Sequence, residues 1–197
     1  LYALNPAGEV LWQTALITSA VGAPALDAQG NIYVVDLLGG LATFTSDGQP
    51  LWRWLPENVG RGYTGPIVAP DGVAYYGFTR SGKIIIQAVS ADGSGLWEAE
   101  FSFTPNRYPP ALSPAGNWLF WETFIIHTRD GAVLPDPLGD AGPASAFFTG
   151  ANGVAYARIK ETLAPLVETE ASVTPSNLQI RWYFVRPDQR PIDYTRD

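Results

Sequence analysis

One twelve-residue phrase recurs along this chain, and a chain that repeats itself about every forty residues has few folds open to it. LYALNPAGEVLW runs from Leu1 to Trp12, LATFTSDGQPLW from Leu41 to Trp52, and IQAVSADGSGLW from Ile86 to Trp97. A fourth copy, FIIHTRDGAVLP, runs from Phe124 to Pro135 and carries proline in place of tryptophan. Its glycines, Gly8, Gly48, Gly93 and Gly131, fall 40, 45 and 38 residues apart. A second phrase lies between the copies: PALDAQGNIYVVD from Pro24, PIVAPDGVAYYGF from Pro66 and PALSPAGNWLFWE from Pro110. A looser copy, FFTGANGVAYAR, starts at Phe147. Gly30, Gly72, Gly116 and Gly153 repeat with the same period.

Each phrase has the pattern of a β-hairpin: short apolar alternation, a polar turn ending in glycine, and a second short strand. Proline at the head of the second phrase sits where a strand's first residue needs no ladder hydrogen bond. Two hairpins per period make a four-stranded antiparallel sheet, and such a unit at 40–45 residues predicts an all-β fold, a β-propeller. Gly 20 and Pro 17 are about 19% of 197 residues, against about 12% in average usage. The excess fits the turns and strand starts of this pattern and disfavours a helical bundle. Hairpins are expected near 1–16, 24–55, 65–101, 109–134 and 144–157. The tandem repeats thus occupy 1–157, with 158–197 a divergent final blade or C-terminal extension. That is about four to five blades. A ring of seven or eight would need roughly 280–360 residues at this period. Because Leu1 falls inside a repeat, the chain is expected to be part of a larger ring and a fragment of a longer protein.

The repeated Ala-Leu-Asn-x-x-Gly-x-x-Leu-Trp pattern (Ala3 to Trp12), with its Pro-Ala-Leu-x-x-x-Gly-x-Ile-Tyr companion, resembles the pyrroloquinoline-quinone-like propeller repeat. The resemblance covers 1–134 well, 144–157 loosely and the tail hardly at all. It implies that Trp12, Trp52 and Trp97 are docking residues that lock adjacent blades, in keeping with their one fixed place in the repeat. The stretch from Asn5 to Gly8 is one residue shorter than the quinoprotein form. That shorter turn is familiar from bacterial propellers that bind no quinone, among them extracytoplasmic scaffold proteins. Sialidase-type Asp boxes fit less well. In SADGSGLW (Ser90 to Trp97) glycine directly follows Asp92 and Leu96 stands at the threonine position.

Residues able to do chemistry are few. The chain has no cysteine and one histidine, which excludes disulfides, thiol nucleophiles and multi-histidine metal sites. Quinoprotein dehydrogenases commonly carry a vicinal disulfide, which this chain cannot form, and no acidic cluster to hold their calcium stands out from the repeat, so no cofactor is expected. Calcium or a quinone enters only if the chain is a piece of a quinone-dependent dehydrogenase. Asp27, Asp47, Asp71, Asp92 and Asp130 all lie in predicted turns, where aspartate accepts backbone hydrogen bonds. His127 takes the repeat position of Leu4, Phe44 and Val89 and is expected to be buried or half-buried. A net charge of −7 argues against nucleic acid. No apolar stretch approaches the roughly 18–20 residues of a membrane-spanning helix.

Residues 158–197 differ from the body: six acidic and six basic side chains, against thirteen and six before them. ARIKETLAPLVETEA (157–171) reads as a short helix or an irregular excursion. QIRWYFVRPDQRPIDY (179–194) reads as strand, turn and strand. Two readings stay open for it, a degenerate outer hairpin and an edge that contacts a protein partner through Arg181, Trp182, Tyr183 and Arg186. The expected function is a non-catalytic protein-binding or scaffold module in an extracytoplasmic assembly. The alternatives are a quinone-dependent dehydrogenase fragment and a carbohydrate-binding propeller.

Overall fold

One turn design closes hairpin after hairpin. In the computed structural model the glycine N–H donates to the carbonyl three residues earlier: Gly8 to Asn5, Gly30 to Asp27, Gly48 to Thr45, Gly93 to Ser90. Each of these glycines has φ between 81° and 88°. The residue that opens the turn also donates its own N–H to the carbonyl just past the glycine, as Asn5 does to Glu9 and Asp27 to Asn31. This is the three-residue hairpin loop, a tight turn followed by a left-handed position that glycine fills without strain. A polar side chain opens it for a physical reason. Asn5 Oδ1 accepts the N–H groups of Ala7 and Glu9, and Asp27 Oδ1 those of Gln29 and Asn31.

The structure describes residues 1–102, 110–113, 115–121, 124–134, 144–149, 155–159 and 162–166. These residues form strands and turns, with no helix among them. β1 (Tyr2–Leu4) and β2 (Val10–Gln13) pair as a two-stranded sheet. β3 (Ala20–Leu26), β4 (Ile32–Asp36), β5 (Leu41–Phe44) and β6 (Pro50–Trp54) form the first four-stranded sheet, paired in chain order. β7 (Ile67–Val68), β8 (Ala74–Arg80), β9 (Lys83–Val89) and β10 (Gly95–Phe101) form the second. β11 (Ala111–Leu112), β12 (Trp118–Trp121), β13 (Phe124–His127) and β14 (Val133–Leu134) form the third. β15 (Ala144–Thr149), β16 (Ala155–Ile159) and β17 (Thr162–Leu166) pair as three strands. All pairings are antiparallel.

Within 157–171, Thr162–Leu166 is therefore a strand, neither the helix nor the irregular excursion that its composition suggests. Among the described residues β17 pairs on one side only, with β16, an outer position of the kind in which a proline such as Pro165 is tolerated.

The chain divides into two compact units, 1–110 with 128–132, and 111–127 with 133–197. The interior of the first lies between the two four-stranded sheets β3–β6 and β7–β10. Tyr33, Val35 and Leu41 from one sheet meet Ala74, Tyr76, Phe78, Ile85 and Val89 from the other, with Trp52 and Trp54 packed against them. The Tyr76 hydroxyl donates to the Gly39 carbonyl at 3.1 Å, which satisfies a phenol that burial drives strongly toward its neutral form. In the second unit Leu119, Phe120, Trp121, Ile125 and Ile126 are buried. His127 is half-buried, with its ring edge-on to Trp118 at 4.7 Å.

Thr43 departs from this economy. It is buried on the inner face, and its Oγ1 has no hydrogen-bond partner among the described residues. Valine has the same branched shape and the same strand preference without the hydroxyl. Thr43→Val is therefore expected to leave stability unchanged or raise it by up to ~1 kcal/mol, read from the midpoint of urea unfolding. A loss larger than that would show that the hydroxyl is bonded in solution.

Candidate functional site

The three repeat tryptophans have the same surroundings. Trp12 Nε1 donates to the Ser46 carbonyl at 3.0 Å, Trp52 Nε1 to Ala91 at 3.0 Å, and Trp97 Nε1 to Thr128 at 2.8 Å. Each acceptor belongs to the outer-hairpin turn of the next repeat. The indole lies across that turn's glycine. A Cβ built on Gly48 would come 2.6 Å from Trp12 Cε3, one on Gly93 2.8 Å from Trp52 Cδ2, and one on Gly131 2.6 Å from Trp97 Cε3. The glycine is thus required twice, for its positive φ and for the space its missing side chain leaves to the ring. Register explains why the tryptophan arrives there. In β1–β2, β5–β6 and β9–β10 the pairing shifts just before the tryptophan, leaving Trp12 opposite Ala3, Trp52 opposite Thr43 and Trp97 opposite Ala88. The fourth copy pairs Ile126 with Val133 and Ile125 with Leu134 without such a shift. Its Pro135 lies outside the described residues.

A comparison of two glycines isolates the indole contact. Alanine at either Gly8 or Gly93 meets the same backbone strain, about 1–2 kcal/mol for an L-residue in the left-handed region. At Gly8 nothing lies within 4 Å of the added Cβ, whereas at Gly93 it collides with Trp52. Gly93→Ala is expected to destabilise clearly more than Gly8→Ala in parallel thermal melts. Equal losses would mean that the ring does not rest on Gly93.

The turn aspartates make local bonds. Asp71 accepts the Val73 N–H, Asp130 that of Ala132, and Asp92 that of Ser94 together with the Ser90 hydroxyl. Asp47 accepts the Thr45 hydroxyl. Burial works against the charge of Asp27, yet bonds from Asn31, Gln29 and Tyr33 outweigh it and hold the carboxyl below its ordinary range. Tyr33 is pushed up to about 12 by burial and by that neighbouring charge. The Ser90 and Ser94 bonds lower Asp92 in the same way. In Asp27 and Asp92 the bonds of the turn therefore favour the charged carboxylate.

Asp36 is an acidic residue outside that series, and it does more. It opens the β4–β5 turn by the same rule, with Oδ1 accepting the N–H groups of Leu38 and Gly40. Its Oδ2 accepts both Nε and Nη2 of Arg53, at 3.0 and 2.7 Å. The pair is largely out of water, with 5% of the Asp36 side chain and 23% of that of Arg53 exposed. It lies at one end of a cavity of about 290 Å³ between the 15–17 segment and the sheet β3–β6. Leu16, Ile17, Val34, Phe44 and Leu51 are among the apolar residues of the remaining wall. Such a cavity suits an apolar group and offers one internally neutralised ion pair. The pattern Asp-x-x-Gly at Asp36 to Gly39 was a visible turn signal, but nothing in the sequence joins it to Arg53.

The β1–β2 hairpin, whose sheet has only two strands, carries exposed apolar side chains on one face. Pairing places Tyr2 with Gln13 and Leu4 with Val10 on one face, and Ala3 with Trp12 on the other. Tyr2, Leu4 and Val10 are 65%, 58% and 56% exposed. The equivalent residue of the next repeat, Phe44, is 6% exposed. Arg181, Trp182, Tyr183 and Arg186 lie outside the described residues. Among the described residues no three carboxylate or histidine side chains gather to hold a metal ion.

No family model matches the chain, and no curated protein matches it. Solved structures do. Virginiamycin B lyase from Staphylococcus aureus superposes with a TM-score of 0.53 at 16% identity, over 92% of this chain and 68% of that one. BamB from Moraxella catarrhalis gives 0.54 at 16% identity, over 80% of this chain and 49% of that one. A Bacteroides caccae protein of unknown function gives 0.53 at 18% identity, over 95% of this chain and 66% of that one. The chain thus spans between half and about two thirds of the length of these structures. At such identities the likeness concerns the fold, and the fold is a β-propeller with blades of four antiparallel strands.

Proposed function

We propose that this chain is a propeller segment that acts as a non-catalytic protein-binding or scaffold module in an assembly outside the cytoplasm. One observation carries the reading: the described aspartates are engaged in their own turns and in the pair with Arg53, while the leucine that precedes the docking tryptophan stands about half exposed in successive sheets, at Leu51 and Leu96. Apolar side chains exposed at the same place in successive sheets offer a surface that another protein can cover. The fold likeness includes both BamB and a lyase, so it is compatible with a binding role and does not decide it.

The test is turnover. The purified chain is expected to leave virginiamycin B intact and to reduce no dye in a quinone-supplemented alcohol or sugar dehydrogenase assay. Saturable turnover of either substrate, lost on substitution of a residue lining the Asp36–Arg53 cavity, would sink the binding reading.

A further inference from the structure

We infer that Leu51 and Leu96, with the turn carboxylates of Asp47 and Asp92 beside them, form a seat for a cationic segment of a partner protein, one that presents lysine or arginine next to an apolar side chain. The inference deepens the protein-binding reading, on which it rests, by giving the partner's charge.

Register exposes the leucines. In β5–β6 the pairing runs from Pro50 opposite Phe44 to Trp52 opposite Thr43, and in β9–β10 from Gly95 opposite Val89 to Trp97 opposite Ala88. Leu51 and Leu96 are the residues skipped, each the extra residue of a bulge on the outer strand of its sheet. They remain 48% and 53% exposed, so about half of each side chain stays in water. Both stand at the end of the sheet where the β3–β4, β5–β6, β7–β8 and β9–β10 turns lie, since each strand reverses its neighbour. The indole bonds from Trp12 to Ser46 and from Trp52 to Ala91 bring those ends of successive sheets together.

The occupant's chemistry follows from where the charges lie. Residues 1–102 carry nine acidic and four basic side chains. Glu9, Asp27, Asp47, Asp71 and Asp92 all belong to the turns of the leucine end, and those turns contain no lysine or arginine. In the next repeat's turn Arg129 and Asp130 cancel each other. The four cations of residues 1–102 lie toward the opposite end, where Arg53 pairs with Asp36, Arg80 with Glu98 and Lys83 with Glu100, and Glu57 offsets Arg61. The surplus of negative charge in these residues therefore gathers around the leucines. A nucleic acid or an anionic membrane is repelled there. A second copy brings the same anionic end, and its other end holds no surplus of cations among residues 1–102. A basic protein segment is attracted on approach and covers the leucines on arrival.

The probe is the peptide acetyl-Lys-Leu-Lys-Leu-Lys-amide, titrated into the isotope-labelled full chain and read from backbone amide resonances. Saturable shifts at Gly48, Leu51, Gly93 and Leu96 are expected. The glutamate analogue, acetyl-Glu-Leu-Glu-Leu-Glu-amide, should give none. The glycine analogue, acetyl-Lys-Gly-Lys-Gly-Lys-amide, should bind about five-fold more weakly because it leaves the leucines uncovered. Asp47→Asn combined with Asp92→Asn should weaken binding about two- to ten-fold, while asparagine still closes both turns. Glu57→Gln removes a charge at the far end, beyond screening distance, and should change binding less than about two-fold. Absence of saturable shifts, binding of the glutamate analogue, equal binding of the glycine analogue, or a loss on Glu57→Gln as large as that of the asparagine pair would each overturn the seat. None of these outcomes touches the turnover assay. A partner held at Leu51 through an acidic segment would remove the cationic seat and leave the binding reading standing.

Discussion

Asp36→Ala is expected to destabilise the first unit by about 3 kcal/mol, the lower end of the range for breaking a buried ion pair. Arg53 keeps 23% of its side chain in water, which softens the loss, but the alanine also strands the Leu38 and Gly40 N–H groups that Oδ1 accepts. Urea unfolding followed by tryptophan fluorescence measures it. Asp36→Asn should recover part of the loss, because the amide oxygen can still close the turn while Arg53 remains unpaired. A cost under about 1 kcal/mol for the alanine variant would place the pair among ordinary surface salt bridges and contradict its burial.

Trp52→Ala is the second large effect. The ring rests on Gly93, meets Tyr33 edge-on at 5.8 Å and donates to the Ala91 carbonyl, and it packs against the interior shared by two sheets. Removing it is expected to cost about 3–5 kcal/mol, as for other large aromatic deletions. Trp52→Phe keeps much of the packing and gives up the N–H bond, so its loss should be nearer ~1 kcal/mol. A Trp52→Ala loss within about 0.5 kcal/mol, as for an unremarkable surface substitution, would mean that the ring does not tie the sheets together. The same unfolding titration reads both variants.

Much of the architecture was written locally and was therefore readable. A polar residue, two free positions and a glycine specify the hairpin loop wherever they occur, because the turn's hydrogen bonds lie within five residues. The all-β class and the four-stranded sheets follow from repeating that loop with short apolar runs between. The Asp36–Arg53 pair was not readable. It depends on Arg53 standing opposite Ala42 across β5–β6, on the same face as Asp36, and the register shift between Thr43 and Phe44 alters that facing by one residue. Strand pairing of this kind is a long-range choice, and a one-residue slip reverses the face. Thr162–Leu166 misled for a different reason. Glu, Leu and Ala favour helix locally, but pairing with β16 supplies the strand its partner.

Photo-cross-linking at the exposed repeat leucine tests the account most directly. A photoreactive benzoylphenylalanine is placed at Leu51 in the full chain, and in parallel at Lys83, whose exposed side chain is paired with Glu100 on another sheet. Irradiation in an extract of the source cells is predicted to join position 51 to one defined protein and to yield no such product from position 83. Cross-links of equal yield from both positions, or none from position 51 in a chain that melts like the parent, would contradict it.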